Sequence, residues 1–599
     1  MYTDDKNAQI ILSLLKQHGI KKIVISPGST NVPISRSVQL DPWFEAYSVV
    51  DERSAAYFAV GLAYSTGEPV VISCTGATAS RNYLPGLTEA YYRKLPVIAL
   101  TSQHHTSDFG NLVPQVTDRT ASQNDVKKIS VSLPVVKDEE DYEHCVIAAN
   151  KALIAATTRG GGPVHINLHI VGDYSFTTPE LPKVRKISYY NNAKLDDIIH
   201  ALNLELKGKK IGVFVGAHRK IDGELKKALE NFAIKYNAPI FIDQTSGYDG
   251  KNSVLISQIA DLKWSPNKPD IVIDMGSITG DYSISWLFGI ETWRLSEDGE
   301  VHDRLHNQVK LFDGLEKDFF EAFETQFPLE YVDYFSEIEK ETASVSVPYD
   351  EMPLSNTYIS YTLSKLLPRN SSLHLGILNS LRNMNFFKLH SSIDASSNVG
   401  GFGIDGALST LIGQSVASKD RLHFGLIGDL AAFYDMNALG IRHVGKNVRI
   451  LMVNNDGGVE FRLDSRLETK WADDTNEFIS AGGHNGSMKG WAESRGFNYI
   501  SANTKLDFDN KAKKFCAPSV DEFKGPVFFE VFTNIPDEQK AVSAIQEANR
   551  PRHNASPNID IERDPSVIGF DIKGNVKQNI KKVLPVSVRK AYRKMKNRD

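Results

Sequence analysis

Short apolar runs rich in Val and Ile alternate with helix-patterned stretches three separate times along this chain, a pattern that folds as parallel sheets covered by helices. In the first block KKIVIS (21–26), PVVISC (69–74) and LPVIALTS (95–102) read as buried strands. Between the first two, DERSAAYFAVGLAYSTG sets Ala55, Phe58, Ala59, Leu62 and Ala63 on one helical face before Gly67 stops the helix. The second block offers KKIGVFVGA (209–217), APIFIDQ (238–244) and PDIVIDMGS (269–277). The third offers LHFGLIGD (422–429), VRILMVNND (448–456) and GPVFFEVFTN (525–534). Stretches rich in Pro and polar residues at 177–186 and 344–356 read as linkers. The expected fold class is α/β, with three doubly wound parallel-sheet domains and a basic C-terminal extension.

A chain of 599 residues exceeds what one hydrophobic core serves, which agrees with several domains. Hydrophobic content of 41%, charged content of 24% and a net charge of -5 describe an ordinary globular protein and give no pointer to nucleic acid. Cys74, Cys145 and Cys516 lie far apart with no CxxC pair, so neither a disulfide framework nor a zinc site is expected. The N-terminus carries acids where a secretory signal carries Lys or Arg, and no apolar run reaches the roughly 18 residues of a spanning helix, so a cytoplasmic location is expected. From about residue 546 the chain turns basic. Val583, Leu584, Val588, Tyr592 and Met595 could form the apolar side of a segment that docks on an anionic membrane or a partner, although Pro585 interrupts one long helix and a solvated tail is the plainer reading.

The chemistry is carried by two turns of the third block. One strand ends in Gly428-Asp429-Leu430, and the next ends in Asn454-Asn455-Asp456-Gly457-Gly458. In open parallel sheets ligands bind at the carboxyl ends of the strands, so two such turns can meet around one ion. Mg²⁺ takes oxygen donors in octahedral geometry, often a few protein ligands completed by phosphates and water. Asp429, Asn455 and the backbone carbonyl of Gly457 supply a carboxylate, an amide oxygen and a carbonyl. Gly428 would let the backbone approach a diphosphate, and N–H groups of the turn beginning at Leu430 could donate to it. GD followed by NN across 27 residues, Gly428 to Asn454, is the signature of thiamine-diphosphate enzymes. A nicotinamide dehydrogenase is set aside, because no GxGxxG follows the first strand.

The segments ISPGST (25–30), DERSAAYFAVGLA (51–63), CTGATASRNYLPGLTEAYYRKLPVIALT (74–101), SSNVGGFGIDGALST (396–410), GDLAAFYDMNAL (428–439) and VNNDGG (453–458) extend this. Together they resemble the menaquinone-pathway 2-succinyl-5-enolpyruvyl-6-hydroxy-3-cyclohexene-1-carboxylate synthase family over most of residues 1–545. The resemblance implies a pyrimidine-binding domain (1–180), a central domain (186–343), a diphosphate- and Mg²⁺-binding domain (356–545) and the extension (546–599). It also implies thiamine diphosphate and Mg²⁺ as cofactors, and a homodimer or homotetramer with active sites shared between subunits. Glu52 matches the family glutamate that hydrogen-bonds the aminopyrimidine ring and promotes loss of the C2 proton of the thiazolium; the plainer reading has Asp51 and Glu52 favour a helix N-terminus. Ile404, after Gly403, matches the apolar residue that bends the cofactor. Asn379 and Ser380 align with an Asn-Ser near the diphosphate, and Gln115 with a glutamine near the reacting centre.

The match fails where the family places arginines against its carboxylate substrates. Ser29-Thr30 stands where the pattern reads Ser-Arg, Val399 where it reads Arg, and His104-His105 where it reads Arg-Pro; Arg382 lies near a further arginine position but out of register. Each charge-assisted pair is worth about 1.5–3 kcal/mol, so three losses predict a rebuilt pocket. The expected function is a thiamine-diphosphate-dependent decarboxylation of a 2-oxo acid, followed by protonation or transfer to an unknown acceptor, with cell-surface glycan biosynthesis as the expected setting. The alternatives are the menaquinone synthase reaction itself and a noncatalytic thiamine-diphosphate-binding scaffold.

Overall fold

The computed structural model describes every residue except 93, 120–122, 171–173, 222, 464–476 and 551–599. The basic tail and its apolar stripe therefore lie outside the described residues. No described helix is long and apolar enough to cross a membrane, and all three cysteines are free and buried.

Three sheets form. The first holds β1 (Lys22–Ile25), β2 (Glu45–Ser48), β3 (Val70–Cys74), β4 (Val97–Gln103), β5 (Ser130–Leu133) and β6 (Val164–His169), ordered β2-β1-β3-β4-β6-β5 with parallel pairing throughout. The second holds β7 (Ser188–Asn191), β8 (Ile211–Val215), β9 (Ile240–Ile242), β10 (Ser253–Leu255), β11 (Ile271–Met275), β12 (Glu291–Ser296) and β13 (Gln308–Asp313), ordered β10-β9-β8-β11-β12-β13-β7. The third holds β14 (Ser372–Leu375), β15 (Asp394–Ser397), β16 (His423–Gly428), β17 (Val448–Asn454), β18 (Asn498–Ala502) and β19 (Val527–Phe532), ordered β15-β14-β16-β17-β19-β18 and again parallel. The first and third sheets thus share one strand order. Each reverses direction of winding at its first strand, and that switch point is where an open α/β sheet leaves a crevice for ligand. All nine expected strand runs contain a strand.

By its contacts the chain divides into two compact units, Met1–Glu205 with Ile273–Met275 and Gly289–Phe327, and Leu206–Val272 with Gly276–Phe288 and the residues from Pro328 onward.

The helix Glu52–Thr66 follows the sequence closely at its ends. Asp51 caps it by accepting from the Ser54 N–H at 3.1 Å, and Gly67, at φ 70°, ends it with its N–H on the Ala63 carbonyl at 2.9 Å. Its buried face is Ala55, Ala56, Ala59, Val60 and Ala63. Phe58 departs from the expectation: it is 42% exposed, and its ring lies against Tyr47 of the edge strand β2.

In the second unit, Asp281 is buried and its Oδ1 lies 2.6 Å from the Ser283 hydroxyl, which also lies 2.7 Å from Asp261 Oδ2. One hydroxyl proton cannot serve both oxygens, so a carboxyl proton completes the group. Burial, then the charge of Asp261, pushes the Asp281 carboxyl up to about 7, with Asp243 adding to it. The folded chain keeps this proton to about pH 7 while the unfolded chain releases it near pH 4, so its contribution to stability falls as pH rises through that window. Asp281→Asn should therefore gain on the wild type between pH 4 and 7, by at most about 1.4 kcal/mol per pH unit. Urea midpoints of the two proteins at pH 5 and 7.5 test this, and a constant difference would refute it.

Candidate cofactor and metal site

At the carboxyl ends of β16 and β17 the second unit gathers the polar groups of the two turns. Asp429 opens the short helix Asp429–Tyr434 and is 2% exposed. Its Oδ2 accepts the N–H of Asn455 at 3.0 Å and of Gly457 at 3.1 Å, and its Oδ1 accepts the N–H of Leu430 at 2.7 Å. The chain can turn so tightly because Gly457 adopts φ 144°, where an added Cβ would stand 2.7 Å from the Cα of Gly482. The Gly457 carbonyl accepts one N–H, from Val459 at 3.0 Å. Beside these groups the buried amide oxygen of Asn455 has no hydrogen-bond partner among the described residues. An orphaned buried oxygen next to a buried carboxylate is costly unless a cation completes it, so this donor set fits a hard divalent ion. Burial raises the Asp429 carboxyl, opposed by His484 and the backbone N–H groups of Leu430 and Gly457; a cation would reverse that direction.

His484 and Glu538 are the members of this site that sequence reading missed. The Gly486 N–H donates to His484 Nδ1 at 2.9 Å, which assigns the proton to Nε2, 3.1 Å from Asp429 Oδ2. Phe433 holds the ring edge-on at 5.0 Å. Glu538, fully buried, accepts the Asn356 N–H and the Thr533 hydroxyl at 2.7 Å and hydrogen-bonds the Asn455 side chain. Neither residue has a local sequence signal, since each arrives from a distant segment.

The remaining expected contacts of this unit fall into two groups. Asn379 and Ser380 open a short helix after β14. The Asn379 Nδ2 group is buried without a partner among the described residues, and Leu378 just before it holds φ 60°, a strained setting for a leucine of the sort concentrated at binding sites. Gly403 precedes Ile404, which is half-buried against the cluster containing Leu408 and Ile427. Among the described residues, apart from its chain neighbours, no atom lies within 4 Å of where a Cβ on Gly428 would stand. Arg382, by contrast, is ion-paired with Glu460 and stacked on Tyr282 at 5.3 Å. Val399 is buried in the core with Leu381.

In the first unit Glu52 begins its helix and receives the Asn82 amide at 3.4 Å. Because Asp51 makes the cap, the Glu52 carboxylate is left to other partners. Ser29 and Thr30 lie in the 3₁₀ turn after β1; Ser29 is exposed, while the Thr30 hydroxyl is buried without a partner among the described residues. His104 and His105 follow β4, and His105 Nδ1 accepts the Ser107 N–H at 3.2 Å. Gln115 is exposed at φ 63°.

The family described as thiamine pyrophosphate enzyme, N-terminal TPP binding domain, matches residues 5–130. Taken with the paired parallel sheets and the acid and amide at the strand ends, this defines a thiamine-diphosphate-dependent enzyme. The chain is 33% identical over 554 residues to the 2-succinyl-5-enolpyruvyl-6-hydroxy-3-cyclohexene-1-carboxylate synthase of Bacteroides thetaiotaomicron, covering 89% of this chain and 97% of that one. It is 32% identical over 576 residues to the protein of the same name from Phocaeicola vulgatus, covering 91% and 98%, and 28% identical over 479 residues to that of Flavobacterium johnsoniae, covering 76% and 84%. The chain belongs to the 2-succinyl-5-enolpyruvyl-6-hydroxy-3-cyclohexene-1-carboxylate synthase family.

Proposed function

We propose that this enzyme decarboxylates a 2-oxo acid and transfers the remaining fragment to an acceptor different from that of its named relatives. The observation that carries the reading is the loss of arginine at three positions of the family pattern, now Thr30, Val399 and His104-His105. Val399 is buried among core residues and Arg382 is paired with Glu460, so neither offers a charge to a substrate carboxylate. Ser29, the unpartnered Thr30 hydroxyl, His104, His105 and Gln115 present hydrogen-bonding groups instead, which suit a less acidic acceptor.

Bound thiamine diphosphate supplies the electron sink that lets a 2-oxo acid lose CO₂. In this reading Asp429, Asn455 and the Gly457 carbonyl hold Mg²⁺, and His484 fixes the Asp429 carboxylate through its Nε2 proton. Leu430, Ser380 and the amide of Asn379 would hold the diphosphate end of the cofactor, and Gly403-Ile404 would support its bent form. Glu52 would hydrogen-bond the aminopyrimidine ring of the bound cofactor, with Asn82 orienting its carboxyl group. Val50, Tyr57 and Phe58 leave apolar surface exposed around Glu52, which a second copy of the chain would cover in a dimer or tetramer.

A second reading is the relatives' own reaction, favoured by identity of 33% over 97% of the Bacteroides thetaiotaomicron protein. CO₂ release from a panel of 2-oxo acids, with Mg²⁺ and after chelation, decides between them when isochorismate is included as acceptor. The expected result is metal-dependent release from one acid by an oligomeric enzyme, without the isochorismate adduct. Efficient formation of that adduct from 2-oxoglutarate would establish the second reading and sink the first.

A further inference from the structure

The first unit contains a cavity of about 370 Å³, a size ordinary for small-molecule sites, and none of the residues assigned above to cofactor or substrate lines it. It lies against the face of the first sheet that bears Ala99 and Thr101, under the helix Leu84–Tyr92. Leu84, Leu87 and Val126 make one wall apolar. Arg119, Lys127 and His165 make the other basic.

The basic wall is not matched by acid. Arg119 is 7% exposed, yet every acceptor it reaches is neutral: the Thr101 hydroxyl at 2.7 Å, the Ser102 carbonyl at 2.8 Å and the Gln103 amide oxygen at 3.1 Å. Its Nε–H, buried, has no acceptor among the described residues. Burial, with the nearby charge of Arg81 adding to it, brings its guanidinium down to about 10. Lys127 is half-buried, its ammonium also lowered by burial, with no carboxylate in contact among the described residues. His165 bonds the same Thr101 hydroxyl at 2.8 Å and Ser130 at 3.3 Å; burial, then the charges of Arg119 and Lys127, hold it down to about 3, so it stays neutral. Among the described lining residues the one acid is Asp118, exposed at the rim, where its backbone carbonyl receives Arg81 at 3.4 Å. Two desolvated cations without a counter-charge are unfavourable, and an anion between them removes that cost.

We propose that this cavity binds a small carboxylate with an apolar body, the carboxylate between Arg119 and Lys127 and the body against Leu84, Leu87 and Val126. The apolar wall favours such a molecule over inorganic phosphate, because a bare anion would leave that wall facing water. The geometry requires nothing of the acceptor proposed above, so the two readings stand or fall separately.

Benzoate, a rigid carboxylate with a flat apolar body, is the probe, and isothermal titration of the cofactor-loaded enzyme is the measurement. Saturable benzoate binding is expected, with uncharged benzamide weaker by about tenfold or more, since a charge-assisted bond is lost. Arg119→Gln should weaken benzoate by a similar factor. Lys127→Gln, at a residue whose ammonium has no hydrogen bond among the described residues, tests the site if the arginine variant fails to fold, and should weaken benzoate severalfold. Equal binding of benzoate and benzamide, no saturation by roughly tens of millimolar, or unchanged affinity in Lys127→Gln would overturn the proposal. Phosphate binding as tightly as benzoate would overturn the apolar half of it and leave only a general anion site.

Discussion

Glu52→Gln is expected to lower turnover by about 10²–10⁴-fold, the range that a positioned acid or base contributes, while cofactor affinity changes little. The expectation depends on a division of labour at one helix terminus. Asp51 makes the cap, and Glu52 stands one residue further on with its carboxylate toward Asn82. Glutamine keeps the length of the side chain and the contact with Asn82, and gives up only the proton that a carboxyl group can hold and the charge at the helix N-terminus. That charge is worth about 0.3–1 kcal/mol, too little to unfold the chain. If Glu52 served the helix alone, the variant would lose a few tenths of a kcal/mol in stability and almost nothing in rate. The informative control is Asp51→Ala, which removes the cap, should cost about 1 kcal/mol of stability and should leave most of the activity. Single-turnover CO₂ release, with the cofactor titrated separately by circular dichroism, separates rate from binding. A turnover within about threefold of wild type would remove Glu52 from the chemistry.

Much of the fold was legible because buried parallel strands read as continuous apolar runs. β1, β3, β8 and β17 are of that kind, and the turns after β16 and β17 carry their own polar signals. The edge strands were not legible: β2 (EAYS), β15 (DASS) and β18 (NYISA) each pair on one side only, and their short mixed sequences look like loop. At the candidate site, the pair Asp429 and Asn455 was readable from spacing, whereas His484 and Glu538 reach it from about 30 to 110 positions away along the chain. Arg119 escaped for a different reason. A single arginine in a polar stretch reads as solvated surface, and only the fold reveals that it is buried against neutral acceptors.

β12 (ETWRLS) and β13 (QVKLFD) were missed although both are largely buried, because charged residues inside a sheet contradict the apolar pattern. Their charges are tolerated through specific pairing: Lys310 with Glu205, Asp313 with Arg159, and Arg294 of β12 with Asp274 in β11. Fully buried, Asp274 accepts Arg294 Nη1 at 3.0 Å and Arg304 Nε at 3.1 Å, and is ion-paired as well with Arg304 Nη2, which also donates to the Met275 carbonyl at 3.0 Å. Asp274→Ala should destabilise the first unit by about 3–5 kcal/mol, the cost of leaving buried charge uncompensated. The net worth of the trio is a separate quantity, because desolvating three charges offsets much of their attraction. Replacing all three by apolar residues of similar size, Asp274→Leu with Arg294→Met and Arg304→Met, should therefore be less damaging than the single change. A chain of this size need not unfold in one step, so the measurement is amide exchange across β11 and β12, which reports the local opening free energy. A loss below about 1 kcal/mol in Asp274→Ala would mean that water reaches the two guanidinium groups, and a triple variant worse than the single would mean that the pairing itself, beyond avoidance of stranded charge, holds these strands together.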